Sequence, residues 1–230
     1  MLKNKTTALR SEWSKNEKLM SDQDKDVSKN LNIYKLDKTE DVMNYYADWA
    51  ENNKYNKDMI NWNYTGPKET AAAFKKHQQN KDALILDAGC GTGLVAQELE
   101  KFGFNNFHGI DLSQDLLNSV PKNLYKKLSK LDLNKEIPEA DNTYDSVLCV
   151  GTFTFGHVKN NALDEFLRIT KSGGYIGFTI NEGIFKKYSF DTKIDQFKQN
   201  KLWEEKDFFK SDYIASKNVN AWLGIYKVTK

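Results

Sequence analysis

Residues 82–94 read DALILDAGCGTGL. An apolar run, Ala83-Leu84-Ile85-Leu86, ends on Asp87, and Gly89, Gly91 and Gly93 then follow at every second position. Glycine reaches positive φ freely and lets backbone approach a ligand closely, at a cost in conformational entropy. Three glycines within five residues, between a strand-like and a helix-like segment, predict a loop shaped around a ligand at the carboxyl end of a strand.

Downstream of this loop the chain alternates. Residues 83–87 read as a strand, 93–102 as a helix closed by Gly103, and 106–111 as a second strand. A short helix at 113–119 has Ser113 as its cap; YKKLSKLDL holds a weak strand and YDSVLCVG a strong one. The helix NALDEFLRITK stops at Gly173-Gly174, YIGFTI is the next strand, and a helix follows around 192–202. DYIAS and AWLGIYKV pair as an antiparallel edge. Strands alternating with helices predict parallel βαβ units, buried on both faces, in a doubly wound α/β sheet.

Upstream, TEDVMNYYADWAENNKY reads as one helix that Thr39 can cap, with Val42, Met43, Tyr46 and Trp49 on one face. A second helix starts near Pro67 and runs through KETAAAFKKH. Residues 1–34 form a polar, lysine-rich arm with Leu9, Trp13, Leu19 and Met20 at loose helical spacing. The main domain is expected over 35–230, with a helical lid at 40–80.

A chain of 230 residues can bury a sizeable core, and 13% aromatic residues would fill much of it. The formal charge of +2 gives no electrostatic case for nucleic acid. No apolar run approaches the roughly 18 residues that span a bilayer, and the N-terminus lacks the apolar segment of a signal peptide. A cytoplasmic protein with no membrane partner is expected; nothing in the pattern sets an oligomeric state. Cys90 and Cys149 form no metal pattern and read as small buried residues. No cluster with metal-ligand spacing is present in the sequence.

Three ligands compete for the glycine loop. A phosphate-binding loop of the form G-x-x-x-x-G-K-S/T is excluded, because no lysine follows Gly93 at that spacing. A dinucleotide loop, G-x-G-x-x-G, fails in both registers: Leu94 or Ala96 stands where the last glycine belongs. S-adenosylmethionine suits the acids instead. Asp87 can order the loop near the ligand's ammonium end, Asp111 can accept both ribose hydroxyls, and Leu112 can cover an adenine face.

ILDAGCGTG, followed by GIDLS, LDL and YDSVLCVGTFTFGHV, resembles the class I S-adenosylmethionine-dependent methyltransferases. With YYADWAENNKYNKD upstream, the chain more closely resembles the Williams-Beuren syndrome methyltransferase-like family and its bacterial relatives. The family's Tyr-Asp after the tryptophan stands here two residues later, as Tyr55-Asn56. The resemblance implies a mostly parallel seven-stranded, Rossmann-like sheet with one antiparallel strand. It also implies Asp132 at the adenine amino group with Leu133 beside it, Val150 at the cofactor, and Tyr46 and Trp49 over the methionine end.

The implied reaction is methyl transfer to an O, N or S nucleophile, and the charge balance points to a small-molecule acceptor. In GTFTFGHV, Phe153, Phe155 and His157 alternate, which predicts an apolar substrate wall with His157 as its one base. His77, at a helix end, reads as solvated or as a partner of the helix dipole, and His108 as structural. Two other readings compete: an NAD(P)-dependent oxidoreductase on a similar fold, and a module that binds the cofactor or S-adenosylhomocysteine without turnover.

Overall fold

The computed structural model describes residues 31–36 and 38–230. Its strands are β1 (Ile85–Ala88), β2 (Phe107–Asp111), β3 (Lys127–Lys130), β4 (Tyr144–Phe153), β5 (Thr170–Asn181), β6 (Trp203–Ile214) and β7 (Val219–Val228). They form one sheet in the order β3-β2-β1-β4-β5-β7-β6. Pairing is parallel from β3 through β5, and β7 runs antiparallel to both β5 and β6. The order reverses between β1 and β4, so the carboxyl ends of those two strands mark the crevice where such sheets bind ligands.

Helices α1 (Thr39–Ala50), α2 (Lys54–Asn61) and α3 (Gly66–His77) precede β1. The crossovers carry α4 (Leu94–Glu100), α5 (Gln114–Asn118) and α6 (Ala162–Ile169), and α7 (Glu182–Phe185) and α8 (Phe190–Gln199) lie between β5 and β6. Side chains of successive strand residues go to opposite faces. Ile85, Leu148, Leu223 and Ile225 accordingly pack with Phe74 of α3 and Val95 and Leu99 of α4. Leu86, Val147, Phe178 and Tyr226 pack with Phe166 of α6 and Phe190 and Phe197 of α8. Burial on both faces is why the strands read as near-continuous apolar runs.

Several expectations change in detail. Thr39 is the first helical residue of α1; Lys38 precedes it and no side chain caps the helix. The predicted single helix breaks at Asn52 (φ 53°) and Asn53 (φ 58°), and the chain restarts as α2. Helix α6 ends at Ile169, and Gly173-Gly174 lie inside β5. There the register shifts, with Tyr144 opposite Thr170 but Ser146 opposite Tyr175, so the predicted stop is a bulge. Strand β6 begins at Trp203 rather than Asp212.

Helix α3 packs on α4 and the sheet with Phe74 fully buried, so of the segment expected as a lid only α1 and Tyr55 of α2 reach the crevice. Leu31, Ile33 and Tyr34 are buried in the core cluster. The rest of the predicted arm lies outside the described residues. His77 is not simply solvated: its Nε2 lies 2.8 Å from Asp207 Oδ2 and ties α3 to β6. His108 pairs with the Tyr144 hydroxyl at 3.1 Å, a structural contact. Among the described residues no helix is long and apolar enough to cross a membrane.

Candidate active site

The glycine loop turns through positive φ at Gly89 (77°), Gly91 (53°) and Gly93 (88°). At Gly89 a Cβ would meet Thr152 Oγ1 at 2.1 Å, so nothing larger than glycine fits. At Gly91 a Cβ would meet only Leu116 Cδ1, at 3.9 Å, and would stand in the open space of the crevice. The amides of Gly89 and Cys90 both donate to Ile110 O, at 2.8 and 3.0 Å. Asp111 Oδ2 accepts from Gly91 N and its Oδ1 from Ser113 N, each at 2.8 Å. Thr92 Oγ1 donates to Asn56 Oδ1 at 2.6 Å, which fastens the loop to α2. Asn56 is the residue that departs from the family pattern, and this bond gives it a place.

The crevice is an open cleft, and its roughly 730 Å³ of empty space includes the solvent at its mouth. Its wall is built from the loop, the ends of β2 and β4, residues 131–134 and 156–158, and α1 with Tyr55. It brings together Tyr46, Gly89, Gly91, Asp111, Leu112, Asp132, Leu133, Val150 and His157, all anticipated from the sequence. It also takes in Thr39, Tyr55, Asn134 and Thr152, which were not. Tyr55 arrives because α1 breaks at the two asparagines; its displaced position in the family pattern was the available signal.

Five anticipated residues stay off the wall. Trp49 is buried behind it, with Nε1 donating to Asp58 Oδ2 at 2.7 Å and its ring among Tyr46, Tyr55 and Trp62. Asp87 lies beneath the loop, where Oδ2 accepts from the Tyr125 hydroxyl at 2.6 Å and Oδ1 has no partner. Burial pushes its pKa up to about 7, against the lowering pull of the Tyr125 bond. Gly93 caps α4, and a Cβ there would strike Leu124 at 2.7 Å. Phe153 is fully buried against Phe190, with ring centroids 4.8 Å apart. Phe155 packs on Tyr34 and over Gly183. The register shift in β4 after Cys149 ends the simple alternation there, and the phenylalanines turn into the core. The aromatic wall is Tyr46 and Tyr55 instead.

His157 does face the cavity. Its Nδ1 lies 2.5 Å from Phe155 O and 3.0 Å from Thr154 Oγ1. A carbonyl only accepts, so the bond to Phe155 assigns the proton to Nδ1 and leaves Nε2 as an acceptor. The Tyr46 hydroxyl, 3.0 Å from Nε2, donates to it. Burial pushes the His157 pKa down, partly offset by the Phe155 carbonyl, and pushes the Tyr46 phenol well up. Both groups are therefore neutral in the resting site.

The charges on the wall decide between ligands. Among the described residues lining it, Asp111 and Asp132 are the acids and no lysine or arginine is present; burial pushes the Asp111 pKa up, against the lowering pull of the Ser113 and Gly91 amides. A pyrophosphate would find two carboxylates and no cation, whereas a sulfonium with an ammonium finds favourable charge. The gap left by Gly91 admits a ligand against the backbone. These residues fit S-adenosylmethionine and not a nicotinamide dinucleotide.

Comparison with known proteins agrees. Residues 86–178 match the methyltransferase domain family. The chain is 34% identical over 169 residues to Methyltransferase-like protein 27 of Homo sapiens, covering 70% of this chain and 68% of that protein. The chain belongs to the class I S-adenosylmethionine-dependent methyltransferases. An uncharacterized protein of Methanocaldococcus jannaschii is 30% identical to this methyltransferase over 212 residues, covering 81% of this chain and 90% of the relative. A SAM-dependent methyltransferase from Thermotoga maritima superposes with a TM-score of 0.56 at 18% identity, covering 80% of this chain and 98% of that one. At that identity the likeness establishes the fold alone. The methyltransferase uses S-adenosylmethionine as its cofactor.

Proposed function

We propose that this methyltransferase acts on an O, N or S nucleophile of a small molecule, and that Tyr46 and His157 together take up the proton the nucleophile loses. The observation that carries this reading is the 3.0 Å hydrogen bond between Tyr46 Oη and His157 Nε2 on the cavity wall. S-adenosylmethionine, when bound, supplies a methyl group already activated by its positive sulfur. Asp111 keeps a further lone pair on each oxygen and accepts the ribose hydroxyls. Leu112 and Leu133 would flank the adenine, Asp132 would take its amino group, and Gly89, Gly91 and Val150 would hold the rest of the cofactor.

His157 acts through Tyr46, because its free lone pair is already engaged by the phenol. The acceptor proton goes to Tyr46 Oη as the phenolic proton moves to His157 Nε2. The Nδ1–H bond to Phe155 O then supports the imidazolium. Such assistance contributes about 10²–10⁴-fold to a rate. Helix α1 and Tyr55 form one side of the crevice, and water they exclude from a bound acceptor would strengthen charge interactions there.

The test uses purified protein, methyl-labelled cofactor and a whole-cell extract. Label should enter the small-molecule fraction; label confined to protein or nucleic acid would refute the small-molecule assignment. Once an acceptor is in hand, His157→Ala should lower kcat by about 10²-fold or more while S-adenosylhomocysteine affinity stays near wild type.

A further inference from the structure

We infer that Tyr64 is a further cofactor-binding residue, whose hydroxyl donates to the carboxylate of S-adenosylmethionine in a hollow beyond the glycine loop. This deepens the cofactor reading above and rests on Asp111 as the ribose acceptor.

The first observation is where the hollow lies. Tyr64, Pro67, Thr92 and Val95 wall it, and it shares Tyr55, Gly89, Gly91 and Val150 with the crevice. The strand ends stand in the order β3, β2, β1, β4. Asp132 follows β3, Asp111 ends β2, the glycine loop follows β1, and Val150 belongs to β4. A ligand with its base toward β3 and its ribose on Asp111 therefore crosses the glycine loop and brings its third part to Val150. In S-adenosylmethionine that part is the amino acid, and the hollow opens at that point.

The second observation is how Tyr64 is held. A Cβ on Gly66 would stand 2.8 Å from Tyr64 Cε2, and one on Gly151 would stand 2.6 Å from the Tyr64 hydroxyl. The ring meets Tyr213 edge-on, with centroids 5.0 Å apart. Tyr64 bridges Ile214, and the Thr65 amide donates to Tyr213 O at 3.0 Å. Two glycines and the end of β6 thus fix the ring. Its hydroxyl is much less well used. The bond to the Tyr213 hydroxyl is 3.4 Å long, against about 2.7–2.8 Å for an ordinary O–H···O bond. A side chain placed this firmly and bonded this loosely has a donor to give to a ligand. Burial and the neighbouring Tyr213 push its pKa well up, so it keeps the proton. Gly151 is itself on the crevice wall, which sets the hydroxyl at the junction of the two spaces. A carboxylate accepts from such a donor with charge-assisted strength, while the ammonium and sulfonium of the same ligand balance its charge.

The experiment is calorimetry on the full chain with two ligands, S-adenosylhomocysteine and its analogue lacking only the carboxylate. The wild-type protein should bind the analogue about tenfold more weakly or worse; equal affinities overturn the inference without any variant. Tyr64→Phe keeps the ring and removes the hydroxyl. It should weaken S-adenosylhomocysteine by about 10–100-fold and leave the analogue within about threefold of wild type. Equal losses for the two ligands, or no loss for either, overturn the assignment. Unchanged affinities with slowed methyl transfer also overturn it, and give the hollow to the methyl acceptor. Asp111→Ala should weaken both ligands alike. If it weakens neither, the ribose reading fails and takes the inference with it, whereas a failure at Tyr64 alone leaves the ribose reading standing.

Discussion

Both oxygens of Asp111 accept a backbone N–H, from Gly91 and from Ser113, so the carboxylate shapes the loop before any ligand arrives. Asp111→Ala should weaken S-adenosylhomocysteine binding by about 1.5–3 kcal/mol through the lost charge-assisted acceptor, read by calorimetry. Unchanged affinity would end its assignment to the ribose. Gly91→Ala should fold, since its Cβ meets nothing closer than 3.9 Å, at a cost of about 1–2 kcal/mol for the left-handed backbone. Its methyl group stands in the cavity, so S-adenosylhomocysteine binding should fall sharply; normal binding would show that the ligand lies elsewhere.

Asp87 supplies a pH test. Its ordinary pKa is 3.8 and burial raises it to about 7, so the folded state holds the proton more tightly than the unfolded chain. The stabilisation is complete below pH 4 and is lost as pH rises through 7. Asp87→Asn keeps an acceptor for the Tyr125 hydroxyl and removes the titration. Its stability relative to wild type should therefore rise between pH 4 and 8, by on the order of 2–4 kcal/mol in urea unfolding. Parallel profiles would contradict the raised pKa. At this scale the sequence was legible where geometry is local: Gly89, Gly91, Asp111 and His157 reach the cavity wall from short loops and strand ends. The directions of Trp49, Phe153 and Phe155 were not, because a bulged strand and a broken helix turn side chains away from simple periodicity.

The break between α1 and α2 contains no glycine or proline, which hid it. Asparagine tolerates the left-handed region better than other side chains, and two in succession redirect the chain so that Tyr55 meets the cavity. Asn52→Ala should lower stability by about 1 kcal/mol, or roughly 2–4 °C in Tm, whereas Asn52→Gly should not. Equal melting of the two variants would show that backbone strain is not what asparagine relieves there. The early end of α6 has a different origin. Lys230 Nζ donates to the carbonyls of Leu167 and Arg168, and Thr170 Oγ1 donates to Phe166 O, so the last turn is satisfied by side chains. The first of these partners is sixty-odd residues away in sequence, beyond the reach of local stop signals.

Across the whole molecule, cofactor and fold are linked by mass action. S-adenosylhomocysteine at a hundred times its Kd should stabilise by about 2.7 kcal/mol, roughly 5–10 °C in Tm, and NAD should not. A shift with NAD alone would reverse the reading of the cavity's charge. The α/β class, the strand order's switch point and the antiparallel edge were legible because alternating strands and helices allow few topologies. The full length of β6 was not, since a strand with one exposed face has little apolar signature.

That edge has a consequence for synthesis. Strand β7, the last strand among the described residues, sits between β5 and β6 and pairs with both, from Tyr175 opposite Lys227 to Ile214 opposite Val219, with two register shifts on the β6 side. While the ribosome is still making residues before Val219, β5 is an open edge and β6 lacks its strand partner, held by such contacts as the Tyr64–Ile214 bridge and the His77–Asp207 pair. A nascent chain arrested at Lys217 should therefore remain protease-sensitive throughout β5 and β6. One released past Val228 should become resistant in a single step. Gradual protection of β6 before β7 emerges would mean that this half of the sheet assembles by another order, and until the last strand arrives the open edge is where a chaperone would bind.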